Sequence, residues 1–368
     1  MNRKKNFIIT FIFIVVFTFS CSFISKNISF TKKFELNCKE DNSFQTSNNE
    51  ISIITPENKT YIEPMRGYYL ASYGFESDPL GLWHPNPPFD ETILNPINMT
   101  VVKDQFGHKN VLKLIDCSAI DRVDLAYTVS PSDLDDGTIE FWWATNDTSK
   151  YGWHIFDLYR HVYPYSIGYM ELNGGRFHMR TNTEFLDHSV IPQNNTWYHI
   201  RVDWSRYAGY QGLSARRYKV TIDGTEGPEL VFNQNNNVGM RYIRFSTDNV
   251  EKDYEWYIDA IAVSIDINYN AGDNLNEGLL LCFENTTNFD WIGYSLDGLA
   301  NKTILGNSTI PMPTAGSHNI QVFGNDSLGT MYASNLRYFT LDLPPSISII
   351  TPSIDEFYSN NAPPFSIS

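Results

Sequence analysis

Residues Thr196–Gly224, TWYHIRVDWSRYAGYQGLSARRYKVTIDG, decide the fold. In the first half Tyr198, Ile200, Val202 and Trp204 share one face, and His199, Arg201 and Asp203 share the other. In the second half Tyr218, Val220 and Ile222 alternate with Arg217, Lys219 and Thr221. Period-two alternation is the pattern of half-buried antiparallel strands, because successive side chains point to opposite faces of a sheet. Asp223-Gly224 then supplies a turn signal. The stretch predicts a hairpin with an aromatic and aliphatic core face and a charged outer face.

The same signal repeats outward from the hairpin. Between residues 66 and 267 strand-like runs follow one another, among them NVLKLID, GTIEFWWAT, WHIFDLYR, YSIGYMEL, GRFHMRT, MRYIRFST and WYIDAIAVSID. Asp136-Gly137 and Asn173-Gly174-Gly175 punctuate them with turn chemistry. Short strands at this spacing with large alternating residues predict a two-sheet sandwich or jelly roll. Trp142 and Trp143 are consecutive, so only one of them can face the core.

GTIEFWWAT, NTWYHIRVDW, YKVTIDG, YIRFST and WYIDAIAVSI, in this order, resemble the laminin-G-like, concanavalin-A-like jelly-roll superfamily. The resemblance covers residues 64–267 and implies a binding or adhesion module, often for carbohydrate, although some relatives are glycosidases or polysaccharide lyases. Over residues 268–345 the pattern changes. WIGYSLDG followed by GSHNIQVFGNDSLG is similar to the Ig-like repeats of large prokaryotic surface proteins. The expected fold class is therefore all-β, a concanavalin-like jelly-roll sandwich plus a smaller Ig-like β-sandwich.

The letters ISIITP stand at residues 51–56 and again at 347–352. A recurrence of this kind marks an internal repeat. Residues 51–63 read as the first strand of the Ig-like module or a linker, with the jelly roll inserted behind it. Residues 346–368 read as the start of a further, incomplete repeat.

Residues 1–24 combine a basic MNRKK start with the apolar run Phe7 to Ile24, which predicts a secretory signal or a retained anchor. Residues 25–50 are polar and read as a flexible linker. Asn-X-Ser/Thr sequons at Asn27, Asn58, Asn98, Asn146, Asn194, Asn285, Asn301, Asn307 and Asn325 fit a glycoprotein of the cell exterior. The expected location is extracellular or on the cell surface, with membrane contact only through the N-terminal segment. Of four cysteines, Cys21 lies in the signal, Cys38 in the linker, and Cys117 and Cys282 in apolar strands. Either Cys38–Cys117 or Cys117–Cys282 can form a bridge; buried free thiols are the alternative. A net charge of −15 leaves no excess of Lys and Arg for phosphates, which argues against nucleic acid as a partner.

The chemical motifs are few. The eight histidines form no HExxH pair, and no GxSxG elbow, phosphate loop or CxxC pair appears. TIEFWW and YMELNGG carry one carboxylate each, short of the paired acids of a glycosidase strand. The expectation is that the chain is not an enzyme. Structural Ca²⁺ is the one cofactor to consider. If the first and last strands of the jelly roll are neighbours, Glu76 and Asp78 meet Asp259 and offer hard oxygen ligands. The alternative is that they are ordinary loop acids and backbone-binding groups.

For a glycan, aromatic faces and charged hydrogen-bonding groups are required together. Trp142, Trp153 and Tyr159 are the candidate rings, with Tyr163 and Tyr165 in the same aromatic-rich segment. His199, Arg201, Arg217 and Lys219 form the expected polar stripe beside them. The functional expectation is extracellular binding or adhesion, to glycans or other surface macromolecules. The rivals are a structural stalk and the non-catalytic accessory region of a larger secreted hydrolase.

Overall fold

The computed structural model describes residues 50–62, 65–84, 88–90, 99–160, 166–233, 238–247, 250–342, 349–351 and 366–367. The apolar run Phe7–Ile24, read from the sequence as a signal or anchor, and Cys21, Cys38, Tyr163 and Tyr165 lie outside the described residues.

The alternation in Thr196–Gly224 becomes the antiparallel pair Tyr198–Ser205 and Arg217–Ile222, in the register Ile200↔Ile222, Val202↔Val220 and Asp203↔Lys219. Tyr198, Ile200, Val202 and Trp204 are buried to 5% exposure or less. Asp223 and Gly224 both take positive φ, 47° and 76°, the combination that a tight hairpin turn with matching twist requires.

This pair sits in a nine-stranded sheet. Its main path runs Thr225–Glu226, Arg217–Ile222, Tyr198–Ser205, Asp136–Thr145, Tyr254–Val263, Val111–Asp116, Met99–Val102 and Gly81–Leu82, with Leu230–Val231 paired on Arg217–Ile222. A seven-stranded sheet lies over it, in the order Phe185–Asp187, Arg176–Arg180, Ser166–Asn173, Gly152–Tyr159, Tyr242–Ser246, Asp124–Thr128 and Phe89–Asp90. The chain changes sheets repeatedly, for example between Thr145 and Gly152. The result is an all-β sandwich of the jelly-roll kind.

Side chains from both sheets fill one core, in which Trp143, Trp204, Trp256, Phe156, Phe177 and Phe245 are fully enclosed. Burying each large apolar side chain contributes roughly 1.5–3 kcal/mol. The rings interlock across the layer: Trp143 meets Phe177 edge to face at 5.7 Å, and Phe141 meets Phe245 at 5.1 Å. The sheets come so close at Gly152 that a Cβ there would stand 2.0 Å from a ring carbon of Trp256.

A smaller body has its own core, built around Ile51, Ile53, Leu281, Phe283, Val322 and Phe339. In one of its sheets Ile51–Thr55 pairs antiparallel with Leu279–Asn285, which also pairs with Ser308–Ile310. The other sheet contains Thr60–Tyr61, Arg337–Leu341, Gly316–Asn325, Trp291–Leu296 and Lys302–Ile304. Ile349–Thr351 pairs separately with Ser366–Ile367. No disulfide joins Cys117, which is exposed, to Cys282, which is buried.

Candidate functional site

The polar stripe expected from the hairpin lies on the outer face of the nine-stranded sheet. Register places His199 opposite Trp142, Arg201 opposite Glu140, and Asp203 opposite both Thr138 and Lys219. Trp143 faces the core and Trp142 faces outward. Trp142, His199 and Arg201 do come together, but they form the seat of the segment that leads into the smaller body. The indole of Trp142 donates to Asn274 O at 2.9 Å, and Gly272 N donates to Glu140 Oε2 at 2.9 Å. Tyr269 donates its hydroxyl to Glu140, and Asn274 Nδ2 donates to Ala260 O and to Leu70 O. The backbone at 68–70 pairs with 276–278, which holds the segment in place.

Under this cover an aromatic box closes around two histidines. His108 stacks on Tyr69 and on Trp197, each at 4.2 Å, and His199 meets Trp142 at 5.2 Å. Burial lowers His108 to about 3 and His199 to about 4, so both rings are neutral at ordinary pH; Arg201 adds to the effect on His199. Arg201 forks onto Asp203 at 2.9–3.1 Å and lies 3.8 Å from Glu140. Lys219 pairs with Glu226 at 3.1 Å, and Arg217 reaches Glu229 at 4.0 Å. The expectation of an open sugar platform here is therefore corrected. Trp142, Glu140, Arg201 and Asp203 find their partners within the chain, and His199 is only 3% exposed.

The three acids considered for Ca²⁺ do not converge. Tyr73 bridges to Ile261, so the two edges are neighbours as expected. Beyond that bridge the carboxylates separate to different donors. Asp78 accepts from Tyr73 at 2.7 Å and from Trp83 at 2.8 Å, and Glu76 accepts from Thr309 of the smaller body at 2.7 Å. Asp259 lies 2.7 Å from His108 Nδ1 and accepts from Ala260 N at 2.7 Å. Burial, reinforced by Asp259, pushes Glu76 up to about 8. Among the described residues no three His, Cys, Asp or Glu side chains form a metal-binding group.

The other two candidate rings, Trp153 and Tyr159, lie on the outer face of the seven-stranded sheet, on the far side of the sandwich from Trp142. They stand among residues that sequence reading did not single out. Asp157 sits opposite Arg244 on one neighbouring strand and Tyr169 on the other. It accepts from Arg244 at 2.5 Å and from Ser166 at 2.6 Å. Arg244 also approaches Asp124 at 3.8 Å and lies over the ring of Tyr159 at 5.5 Å, while Tyr159 stacks on Tyr242 at 5.3 Å.

A second chain of contacts crosses the same face. Arg122 lies over Trp153 at 4.4 Å, Trp153 stacks on His154 at 4.8 Å, and His154 meets the edge of Tyr169 at 5.0 Å. Tyr169 in turn meets Phe185 at 5.9 Å, and Arg180 covers that ring at 4.7 Å. Burial holds His154 well below the usual histidine range, with Arg244 and Arg122 adding to the effect; its Nδ1 is enclosed without a hydrogen-bond partner. Burial raises Asp157 against the pull of Arg244. The outward position of Arg244 was available from the alternation of YIRFS. The outward positions of His154 and Asp157 were hidden by register shifts where Gly152–Tyr159 pairs with its neighbours.

No family model matches the chain, and no curated protein matches it. Solved structures to which it is similar include a sialidase, at 16% identity and TM-score 0.37, over 47% of this chain and 16% of that one. An alginate lyase matches at 12% identity and TM-score 0.37, over 55% of this chain and 97% of its own. The binding domain of a botulinum neurotoxin in complex with rat synaptotagmin II matches at 10% identity and TM-score 0.33, over 73% and 71%. At these values the likenesses carry no weight for function. Alginate lyases recur among the similar structures, and the expectation that the chain is not an enzyme is withdrawn.

Proposed function

We propose that this chain is an exported glycan-binding protein whose recognition surface is the outer face of the seven-stranded sheet. The observation that carries the reading is the pair of ring-and-guanidinium chains crossing that face, Arg122–Trp153–His154–Tyr169–Phe185–Arg180 and Arg244–Tyr159–Tyr242. Half-buried rings offer apolar surface to sugar C–H groups, and guanidinium groups donate to sugar oxygens in fixed directions. The apolar Phe7–Ile24 run supports export, and the smaller body is read as an Ig-like module that presents the larger one.

The test is a glycan array with the full chain, followed by titration of the best binder against Trp153→Ala, Tyr159→Ala and the double Arg217→Ala/Lys219→Ala variant. The expected result is loss of binding in the first two and wild-type binding in the third. Binding abolished only by the third variant would return the site to the nine-stranded sheet. Failure to bind any neutral or acidic glycan would end the proposal.

A further inference from the structure

A cleft of about 460 Å³ opens between the two bodies, within the range in which pockets hold small molecules. Other buried tyrosines give their hydroxyls away: Tyr269, itself on the cavity wall, to Glu140, Tyr73 to Asp78, Tyr257 to Glu255 and Tyr218 to Arg180 O. Tyr127 and Tyr294 do not. They are 4% and 5% exposed, they line the cavity from different bodies, and neither hydroxyl has a hydrogen-bond partner among the described residues. Asp266 is also on the cavity wall. A phenol hydroxyl with no partner in the chain can both donate to a guest and accept from it.

The remaining polar groups narrow the chemistry. Among the described residues Asp266 accepts from Asn268 N through Oδ1 alone, and Asp273 accepts from Asn270 through Oδ2 alone, so each has a second oxygen to offer. Lys302, on the opposite wall, has no ion-pair partner among the described residues. An anionic ligand would meet two carboxylates and a cationic one would meet the lysine. A hydroxyl, which both donates and accepts, suits all of these groups and the two phenols. Ile265 and Leu305, 47% and 77% exposed, add aliphatic surface for an apolar face.

We propose that the cleft between the bodies is a second binding site, for an uncharged polyhydroxylated ring such as a single sugar residue or a glycan chain end. It is distinct from the outer surface of the seven-stranded sheet, since Tyr127, although in that sheet, belongs to its inner face.

The test titrates the full chain with the methyl glycosides of glucose, galactose, mannose and N-acetylglucosamine, each followed by saturation-transfer NMR and calorimetry. Wild-type protein should bind at least one, and Tyr127→Phe/Tyr294→Phe should weaken that binding tenfold or more, whereas Trp153→Ala should leave it unchanged. Without ligand the double Phe variant should melt no lower than wild type, because the hydroxyls it removes have no partner. Binding that is absent for all four, indifferent to the double variant, or lost in Trp153→Ala overturns the site. So does a lower melting temperature of the unliganded double variant, which would show that the hydroxyls are already satisfied.

Discussion

The two outer faces of the larger sandwich are built from the same alternation and end differently. On the nine-stranded sheet, Glu140, Asp203, His199 and Asp259 are 1–3% exposed beneath Tyr69, His108 and the segment carrying Tyr269, Gly272 and Asn274. On the seven-stranded sheet, Arg122 and Arg244 keep 21% and 22% of their side-chain surface, and each lies over a ring as well as pairing with a carboxylate, Asp124 or Asp157. A polar outward stripe is therefore not evidence of a binding surface. What matters is whether the groups on it are satisfied by the chain or left to something else.

The sharpest test of that contrast is Arg201→Ala. Were Arg201 a surface ligand contact, its loss would be nearly neutral for stability. In the structure it neutralises Asp203 and approaches Glu140, both enclosed. Removing one partner of a buried pair costs about 3–5 kcal/mol, and the partial exposure of Arg201 puts the expectation near 3 kcal/mol. Urea unfolding measures it; a loss below about 0.5 kcal/mol would mean that the face is open.

Acid should act on the sealed face next. His199 has a folded value of about 4, below its unfolded value near 6.5. Its contribution is thus complete above pH 6.5 and is lost as pH falls toward 4, by roughly 3 kcal/mol at 1.36 kcal/mol per unit. His108, lowered to about 3, and His154 on the other face act in the same direction. Glu76, raised to about 8, acts in the opposite sense, favouring the folded state as pH falls from 8 to 4.5. Comparing the stability of His199→Gln with wild type between pH 7 and 4 isolates one group. The variant should lose less stability than wild type over that range, and parallel curves would contradict the burial of His199.

The hairpin was legible because burial of Tyr198, Ile200, Val202 and Trp204 follows from a local period of two, and Trp143 alone of its pair reached the core for the same reason. Ile51–Thr55 pairs with Leu279–Asn285, more than 200 residues further on, and no local alternation carries that partner. The site was not legible as a unit. Trp142 and Trp153 are eleven positions apart in the sequence, but the chain changes sheets between them, which puts them on opposite sides of the sandwich. Nor does any pattern in the run from Tyr269 to Asn274 announce that it will lie across Glu140 and Trp142. Cover is a tertiary event, and alternation carries no information about it.

A smaller effect on stability, joined to a large one on binding, is expected for Trp153→Ala. The ring is half-buried and held between Arg122 and His154 rather than in the core. Its removal should cost about 1–2 kcal/mol while reducing glycan affinity tenfold or more. Retained affinity in a folded variant would remove Trp153 from the recognition surface.

The smallest effects should come from Arg217→Ala and Lys219→Ala. Both residues lie on the outward side of Arg217–Ile222, two strands from Asp136–Thr145 and clear of the cover over Trp142. Their partners, Glu229 and Glu226, are surface acids at 4.0 Å and 3.1 Å. Pairs of this kind are worth about 0–1 kcal/mol, because the Coulomb gain in water is offset by ordering two long side chains. Each substitution should therefore change stability by less than about 0.5 kcal/mol and leave glycan affinity untouched. A tenfold loss of affinity in either would show that the edge of the nine-stranded sheet recognises ligand although its centre is sealed. The contrast would then lie between edge and centre of one sheet, not between the two faces.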